Sequence, residues 1–144
     1  MKRTSLILLA LAIFVISCKK DDAPKVCAST VAEIAGSYKI TKVMATISGV
    51  GTTDITSTAL SNACRQSGVY QLNADRTLIY SENASCSSSG SGSWNVSADS
   101  SITVSHNGGG LDFEGKVKSF NCTNLVINED SGGGNSVEYT ITRQ

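Results

Sequence analysis

The sequence predicts an all-β protein, an antiparallel up-and-down meander that closes into a barrel of about eight strands. Short runs rich in Val, Ile, Thr and Tyr recur along the chain, and Gly, Ser, Asn and Asp separate them. Apolar and polar residues alternate within these runs, as expected for strands with one buried face. No amphipathic helix of useful length interrupts them, which disfavours a parallel βαβ architecture.

The predicted elements follow one another closely along the chain. Residues 26–35 are expected to form a helical turn or two, and residues 57–64 (TSTALSNA) a short helical connection. A meander of this length protects its strand edges best by closing on itself. The predicted strands cover residues 37–47, 52–57, 68–73, 77–83, 92–98, 101–106, 111–119, 124–129 and 136–143.

The alternation also assigns an inner face to the barrel. The alternation is clearest over residues 111–119, where apolar and charged residues alternate along the predicted strand. The pattern is one-sided, so the other face of the sheet meets water. The inner face is predicted to contain Trp94, Val96, Ala98, Ile102, Val104, His106, Leu111, Phe113, Gly115, Val117, Leu125, Ile127, Val137, Tyr139 and Ile141.

The connections between strands alternate in length. Tight turns are predicted at residues 73–76, 98–100 and 121–123, and long Gly/Ser loops at 85–92, 106–110 and 130–136. Because successive connections of a meander fall at opposite ends, the tight turns share one end and the long loops share the other. The flexible end is where binding residues are usually found. Alternatively, these exposed loops are rich in Gly and Ser without any function.

Four cysteines lie within the predicted domain and its N-terminal approach: Cys27, Cys64, Cys86 and Cys122. No pair has CxxC spacing, so neither a zinc site nor a thioredoxin-like site is supported. In an exported small domain an even number of cysteines favours disulfides, although four buried free thiols are the alternative. The strand geometry predicts Cys64 with Cys86 at the loop end and Cys27 with Cys122 at the turn end.

The N-terminus has the composition of a secretory signal, predicted over residues 1–17. Met1-Lys2-Arg3 precedes eleven consecutive apolar residues, Leu6 to Ile16, and the small residue Ser17. In a helix this run is roughly 16 Å long, about half the thickness of a hydrocarbon core, which disfavours a permanent membrane span.

The run Val15-Ile16-Ser17-Cys18 resembles the lipobox of bacterial lipoproteins. This resemblance implies that Cys18 becomes the first residue of the mature chain and carries acyl chains such as palmitate, which anchor the protein to the membrane. An ordinary signal peptide with a chance cysteine is the alternative. Residues 18–32 form a predicted tether, whose CKKDD start resembles the surface-export signal of some outer-membrane lipoproteins. A plain solvated linker is the other interpretation.

The charge balance excludes some partners. The sequence contains 12 basic and 12 acidic residues, and Lys2 and Arg3 fall within the predicted signal. Without a basic face or aromatic residues among Lys and Arg, nucleic-acid binding is not expected. The mature protein is expected to be a monomer that meets the membrane through its lipid.

Several short motifs within residues 33–143 resemble the lipocalin-like family of small bacterial lipoproteins. They are Gly36-Ser37-Tyr38, the cysteines at 64 and 86, the stretch Tyr70 to Thr77, and Gly92-Ser93-Trp94. The family commonly has Trp where this chain has Tyr38. In lipocalins that Trp lies at the closed end beneath a basic residue of the last strand. The resemblance therefore implies that Arg143 packs on Tyr38.

Catalytic chemistry finds little support, and we expect neither an enzyme nor a cofactor. His106 is the one histidine of the sequence, which excludes a multi-histidine metal site within one chain, and no nucleophile-elbow sequence occurs. We expect the domain, residues 33–144, to bind a small apolar or amphipathic ligand, with His106, Trp94 and Phe113 as candidate contacts. The alternative is a filled barrel that presents its Gly/Ser-rich loops to a partner. A cavity inside the barrel would distinguish the two.

Overall fold

The computed structural model describes residues 27–144. The predicted signal peptide, Cys18 and residues 19–26 lie outside the described residues. The fold is all-β, as predicted, and three short helices lie among the first strands. These elements are α1 (Val31–Ile34), β1 (Gly36–Ile47), β2 (Gly51–Asp54), α2 (Thr56–Ala59), α3 (Ala63–Ser67), β3 (Val69–Leu72), β4 (Thr77–Ser81), β5 (Ser89–Val96), β6 (Ser101–His106), β7 (Phe113–Phe120), β8 (Asn124–Gly132) and β9 (Asn135–Arg143).

Eight strands form a closed antiparallel ring. From β3 to β9 each strand pairs with the next in sequence, and β1 joins both ends by pairing with β3 and β9. The closing ladder between β1 and β9 runs from Tyr38 opposite Arg143 to Thr46 opposite Ser136. Strand β2 pairs with β1 alone and lies outside the ring. The meander topology predicted from the sequence is therefore confirmed.

The inside of the ring is filled by the side chains that the alternation assigns to it. Ala98 is an exception, because it lies exposed in a turn, and Leu111, Val117, Val137 and Tyr139 are only half-buried. Burying apolar area on this scale is the main stabilising contribution to such a domain. The largest fully buried side chains are Trp94, Tyr38, Tyr80, Ile34, Leu72, Leu78, Ile102, Leu125, Ile127, Ile141, Val43 and Val104.

The two ends of the ring differ, as predicted. We call the end formed by residues 73–76, 97–100 and 121–123 the base, and the end formed by residues 48–50, 82–88, 107–112 and 133–134 the rim. Each base turn contains one non-glycine residue with a left-handed backbone: Arg76 (φ 70°), Ser100 (φ 65°) and Cys122 (φ 71°). Such residues allow tight hairpin turns at some cost in backbone strain.

The rim loops are shorter than predicted in two places. The prediction of a long loop over residues 130–136 is wrong, because β8 continues to Gly132 and β9 begins at Asn135. Gly132, Gly133 and Gly134 all have positive φ and make a tight turn there. Strand β5 likewise begins at Ser89, where residues 89–92 pair with β4.

Both predicted disulfides are present. Cys27 pairs with Cys122 at the base, with Cα atoms 5.3 Å apart, and Cys64 pairs with Cys86 near the rim at 5.6 Å. Cys27 is also buried, and its backbone N–H donates to the carbonyl of Phe120. The packed body therefore includes residues 27–32, which the sequence assigned to the tether. Within residues 27–144, no helix is long and apolar enough to cross a bilayer.

Candidate functional site

His106 ends β6 at the rim and points its side chain into the ring. The side chain is fully buried. Its imidazole stacks on Tyr80 with ring centroids 4.7 Å apart, and it meets Tyr70 edge-on at 5.7 Å. Phe113 completes this group, with its ring 5.8 Å from that of Tyr70. We call Tyr70, Tyr80, His106 and Phe113 the mouth cluster.

The two nitrogens of the His106 ring have different surroundings. Nδ1 accepts a hydrogen bond of 3.0 Å from the backbone N–H of Gly108. Because an acceptor nitrogen carries no proton, the neutral ring has its proton on Nε2. Among the described residues, Nε2 is the one buried side-chain nitrogen or oxygen with no hydrogen-bond partner. The nearest carboxylate oxygen, Oδ1 of Asp112, is 3.7 Å away.

Residues 107–112, which we call the mouth loop, cover the mouth cluster. The Tyr70 hydroxyl accepts from the backbone N–H of Leu111 at 2.8 Å and donates to its carbonyl at 3.2 Å. A Cβ atom at Gly110 would lie 2.6 Å from the Tyr80 ring and 2.7 Å from the Tyr70 hydroxyl. Glycine therefore allows the backbone of this loop to rest directly on the aromatic rings.

The buried hydroxyls of the mouth cluster are difficult to ionise. Burial raises the pKa of Tyr70 to about 12, although a hydrogen bond with the backbone of Leu111 opposes part of this effect. Burial also raises the pKa of Tyr80, and its hydrogen bond of 2.7 Å to the Glu82 carboxylate raises it further. At neutral pH both tyrosines are therefore neutral hydrogen-bond donors.

The three predicted ligand contacts do not form one site. His106 and Phe113 both contact Tyr70 near the rim, and Phe113 also stacks on Tyr139 at 5.5 Å. Trp94 instead belongs to the base, where its Nε1–H donates to the carbonyl of Asn73 at 2.8 Å. The structure thus brings two of the three together and separates the third from them.

Tyr70 and Tyr80 are the members of the mouth cluster that the sequence analysis did not identify as site residues. The two residues are directly opposite each other in the ladder between β3 and β4. Like Leu72 and Leu78 on the same two strands, Tyr70 and Tyr80 occupy the alternate positions that point into the ring. This alternation of buried and exposed positions in β3 and β4 is the sequence signal that could have identified them.

Two clefts lie along β6, β7 and β8. One has a volume of about 630 Å³, and a neighbouring cleft of about 260 Å³ extends towards the rim. Phe113 lines the smaller cleft, but Tyr70, Tyr80 and His106 line neither. The mouth cluster is packed against its own loop in this conformation.

The described residues offer little reactive chemistry. Nε2 of His106 has no hydroxyl within hydrogen-bonding distance, so it forms no nucleophile and base pair in this conformation. Cys64, Cys86 and Glu82 lie close enough together to suggest a metal site. Both sulfurs, however, are joined in the disulfide and are not available as thiolate ligands.

No family model, no curated protein and no solved structure matches this chain. The lipocalin-like resemblance therefore rests on the motifs within the chain itself. Two of these motifs are adjacent in the structure, where Tyr38 is opposite Tyr70 in the ladder between β1 and β3. Trp94 joins them through its hydrogen bond to Asn73.

Proposed function

We propose that this protein is a lipid-anchored, non-catalytic interaction domain of the bacterial cell envelope, with a lipocalin-like fold, that presents its rim to a partner protein. The anchor would be the acylated Cys18, which the lipobox-like residues 15–18 support. The same resemblance supports an outer-membrane location.

The filled interior is the observation that carries this proposal. Trp94 and Tyr38 fill the base half, and Phe113 and Tyr80 fill the rim half, all of them at most 3% exposed. The mouth loop covers the rim end through its hydrogen bonds to Tyr70. A ring packed in this way leaves its surface and loops as the parts that contact other molecules.

The position of Cys27 determines which end of the domain would face the membrane. Cys27 is bonded to Cys122 at the base, so the chain from Cys18 reaches the folded body there. Nine residue steps span at most about 30 Å when fully extended. A lipid on Cys18 would hold the base within that distance of the membrane and leave the rim accessible to partners.

Photo-crosslinking in intact cells tests the proposal. A photoreactive residue would replace Ser87 or Asn107 at the rim, or Asp75 at the base as the matched exposed control. We expect specific adducts from the rim positions and few from the base position. Equal adducts from both ends, or none from either, would contradict the proposal.

A second candidate function is binding of a small apolar or amphipathic ligand beneath the mouth loop. The fully buried and unpaired Nε2–H of His106 favours it, because a ligand carbonyl or carboxylate could accept from this donor. The ligand would have to displace the mouth loop, whose residues 108–110 are all glycine.

Mass spectrometry of lipid extracts that co-purify with the protein tests this second function. We expect His106→Phe, which keeps an aromatic ring but removes the donor, to lose any specific ligand. Phe120→Leu at the base is the control and should retain it. Extracts that are identical with and without the protein would exclude ligand binding under these conditions.

A further inference from the structure

The mouth loop begins with Asn107-Gly108, the one place in the sequence where an asparagine is followed by glycine. The backbone nitrogen that follows an asparagine can attack the side-chain carboxamide and close a cyclic imide. Glycine hinders this nitrogen least, because it has no Cβ atom. Three contacts in the structure bear on this reaction at Asn107.

The first contact is made by the attacking nitrogen. The N–H of Gly108 donates to Nδ1 of His106 at 3.0 Å. A base within hydrogen-bonding distance of the proton that must be removed meets the geometric requirement for general base catalysis. The His106 side chain is fully buried, so bulk water does not compete for Nδ1.

The second contact is on the other side of the imidazole ring. Oδ1 of Asp112 lies 3.7 Å from Nε2 of His106, and it also accepts from the backbone N–H of His106 at 2.9 Å. A proton taken up at Nδ1 turns the ring into an imidazolium, which the nearby carboxylate favours. This order of carboxylate, imidazole and nucleophile is that of a catalytic triad, with a backbone nitrogen in place of the hydroxyl.

The third contact is made by the carboxamide. Oδ1 of Asn107 accepts from the backbone N–H of Ser91 at 2.9 Å. This donor faces the oxygen on which negative charge develops when a nucleophile adds to Cγ. A Cβ atom at Gly90 would lie 2.4 Å from the Gly108 nitrogen and 2.8 Å from this oxygen. The attacking nitrogen and the carboxamide are therefore packed against the same glycine.

From these contacts we propose that Asn107 is a self-modification site, at which the fold accelerates deamidation. The Gly108 nitrogen forms a bond with Cγ of Asn107 while its proton passes to Nδ1 of His106. The bond between Cγ and Nδ2 then breaks, and Nδ2 leaves as ammonia with that proton. Water opens the resulting succinimide at either carbonyl, which gives aspartate or isoaspartate at position 107.

The modification changes the rim of the protein. Asn107 is exposed, so water can reach the imide, and either product adds a negative charge there. Isoaspartate also lengthens the main chain of the mouth loop, which rests so closely on the aromatic rings that a Cβ atom at Gly110 would lie 2.6 Å from Tyr80. The event occurs once in each chain and turns over no substrate, so it does not depend on the proposed interaction function.

The test compares the mature lipidated protein in detergent micelles with a synthetic peptide of residues 103–113. The peptide contains the same histidine, asparagine, glycine and aspartate without the fold. Peptide mapping against aspartate and isoaspartate standards follows position 107 over time. We expect conversion in the folded protein to be at least about tenfold faster than in the peptide, because the base is held in place. Asn135, which precedes Ser136, is the internal control and should keep its amide.

A variant tests the role of the imidazole. His106→Asn places a carbonyl oxygen at the position of Nδ1, so it can still accept from Gly108 but is not a base. We expect its conversion at position 107 to be at least about tenfold slower than in the wild type. Glu33→Gln at the base is the control and should leave the rate unchanged.

The comparison with the peptide needs no variant that could fail to fold. Conversion in the folded wild type that is equal to or slower than in the peptide would overturn the proposal. A folded His106→Asn protein that converts at the wild-type rate would overturn it as well, because the reaction would then owe nothing to the imidazole.

Discussion

The guanidinium of Arg143 lies 5.3 Å from the centroid of the Tyr38 ring and donates to the Tyr38 hydroxyl, with Nη2 2.7 Å from it. The same group donates to the Glu33 carbonyl at 2.6 Å and lies 5.8 Å from the Phe120 ring. The last strand is thereby joined to the first strand and to α1. This contact confirms the packing role that the lipocalin-like resemblance implied for Arg143.

Replacing Arg143 should therefore destabilise the base. Arg143→Met keeps much of the aliphatic packing but removes the donors to Glu33 and Tyr38. We expect the free energy of unfolding, measured with urea, to fall by about 1 to 3 kcal/mol. A double-mutant cycle with Tyr38→Phe isolates the pair, and a coupling energy near zero would show that the contact contributes nothing.

The buried tyrosines predict a loss of stability in alkali. The pKa of Tyr70 rises from 10.0 to about 12, and those of Tyr80, Tyr38 and Tyr139 also rise, because burial disfavours the phenolate. Unfolded tyrosines ionise near pH 10 while the folded ones remain protonated. Stability is therefore fully present below pH 10 and falls as pH rises towards 12.

Urea midpoints measured at pH 9 and pH 11.5 check this expectation. Tyr70 alone should account for a loss on the order of 2 kcal/mol across this window. Tyr70→Phe should lower the stability at pH 9, since the bonds to Leu111 are lost, but should make the pH dependence shallower. A wild-type protein whose stability is flat from pH 9 to pH 11.5 would contradict the assignment of buried hydroxyls.

The left-handed residues of the base turns predict a stabilising substitution. Ser100 has φ 65°, and the left-handed conformation costs a non-glycine residue roughly 1 to 2 kcal/mol. Glycine avoids this strain but gains freedom in the unfolded chain. We expect Ser100→Gly to raise the free energy of unfolding by about 0.5 to 1 kcal/mol, and Ser100→Ala to give no gain. Equal effects of both substitutions would show that the turn is not strained.

The sequence contained enough information for the ring and both disulfides, but less for the site. Alternation identifies which residues point inward, and turn length separates base from rim, so the cysteine pairs could be assigned, whereas the contact of Arg143 with Tyr38 followed from the lipocalin-like resemblance. Alternation assigns both Trp94 and His106 to the inner face, but it does not show how far along the barrel axis each residue lies. The end of the pairing between β7 and β8 at Lys116 and Asn128 could not be anticipated either, because it depends on where each strand leaves its neighbour rather than on residue type.

The lipid anchor predicts a specific labelling result. Cys18→Ser should abolish the incorporation of labelled palmitate and leave an unprocessed precursor, because the serine hydroxyl does not replace the acylated thiol. Cys27→Ser, which removes a disulfide cysteine instead, is the control and should still be labelled. Continued labelling of the Cys18→Ser protein would refute the lipobox interpretation of residues 15–18.

The two disulfides should differ in how much they stabilise the domain. Cys27 and Cys122 are 95 residues apart, whereas Cys64 and Cys86 are 22 apart, and longer closed loops restrict the unfolded chain more. Chain entropy gives about 4 to 5 kcal/mol for the first bond and about 3 kcal/mol for the second. Because Cys122 has φ 71°, the variant C27S/C122G removes the bond without adding strain to the turn. Urea unfolding of this variant and of C64S/C86S should show the larger loss for the former, and the reverse order would mean that native-state contacts at the rim outweigh loop length.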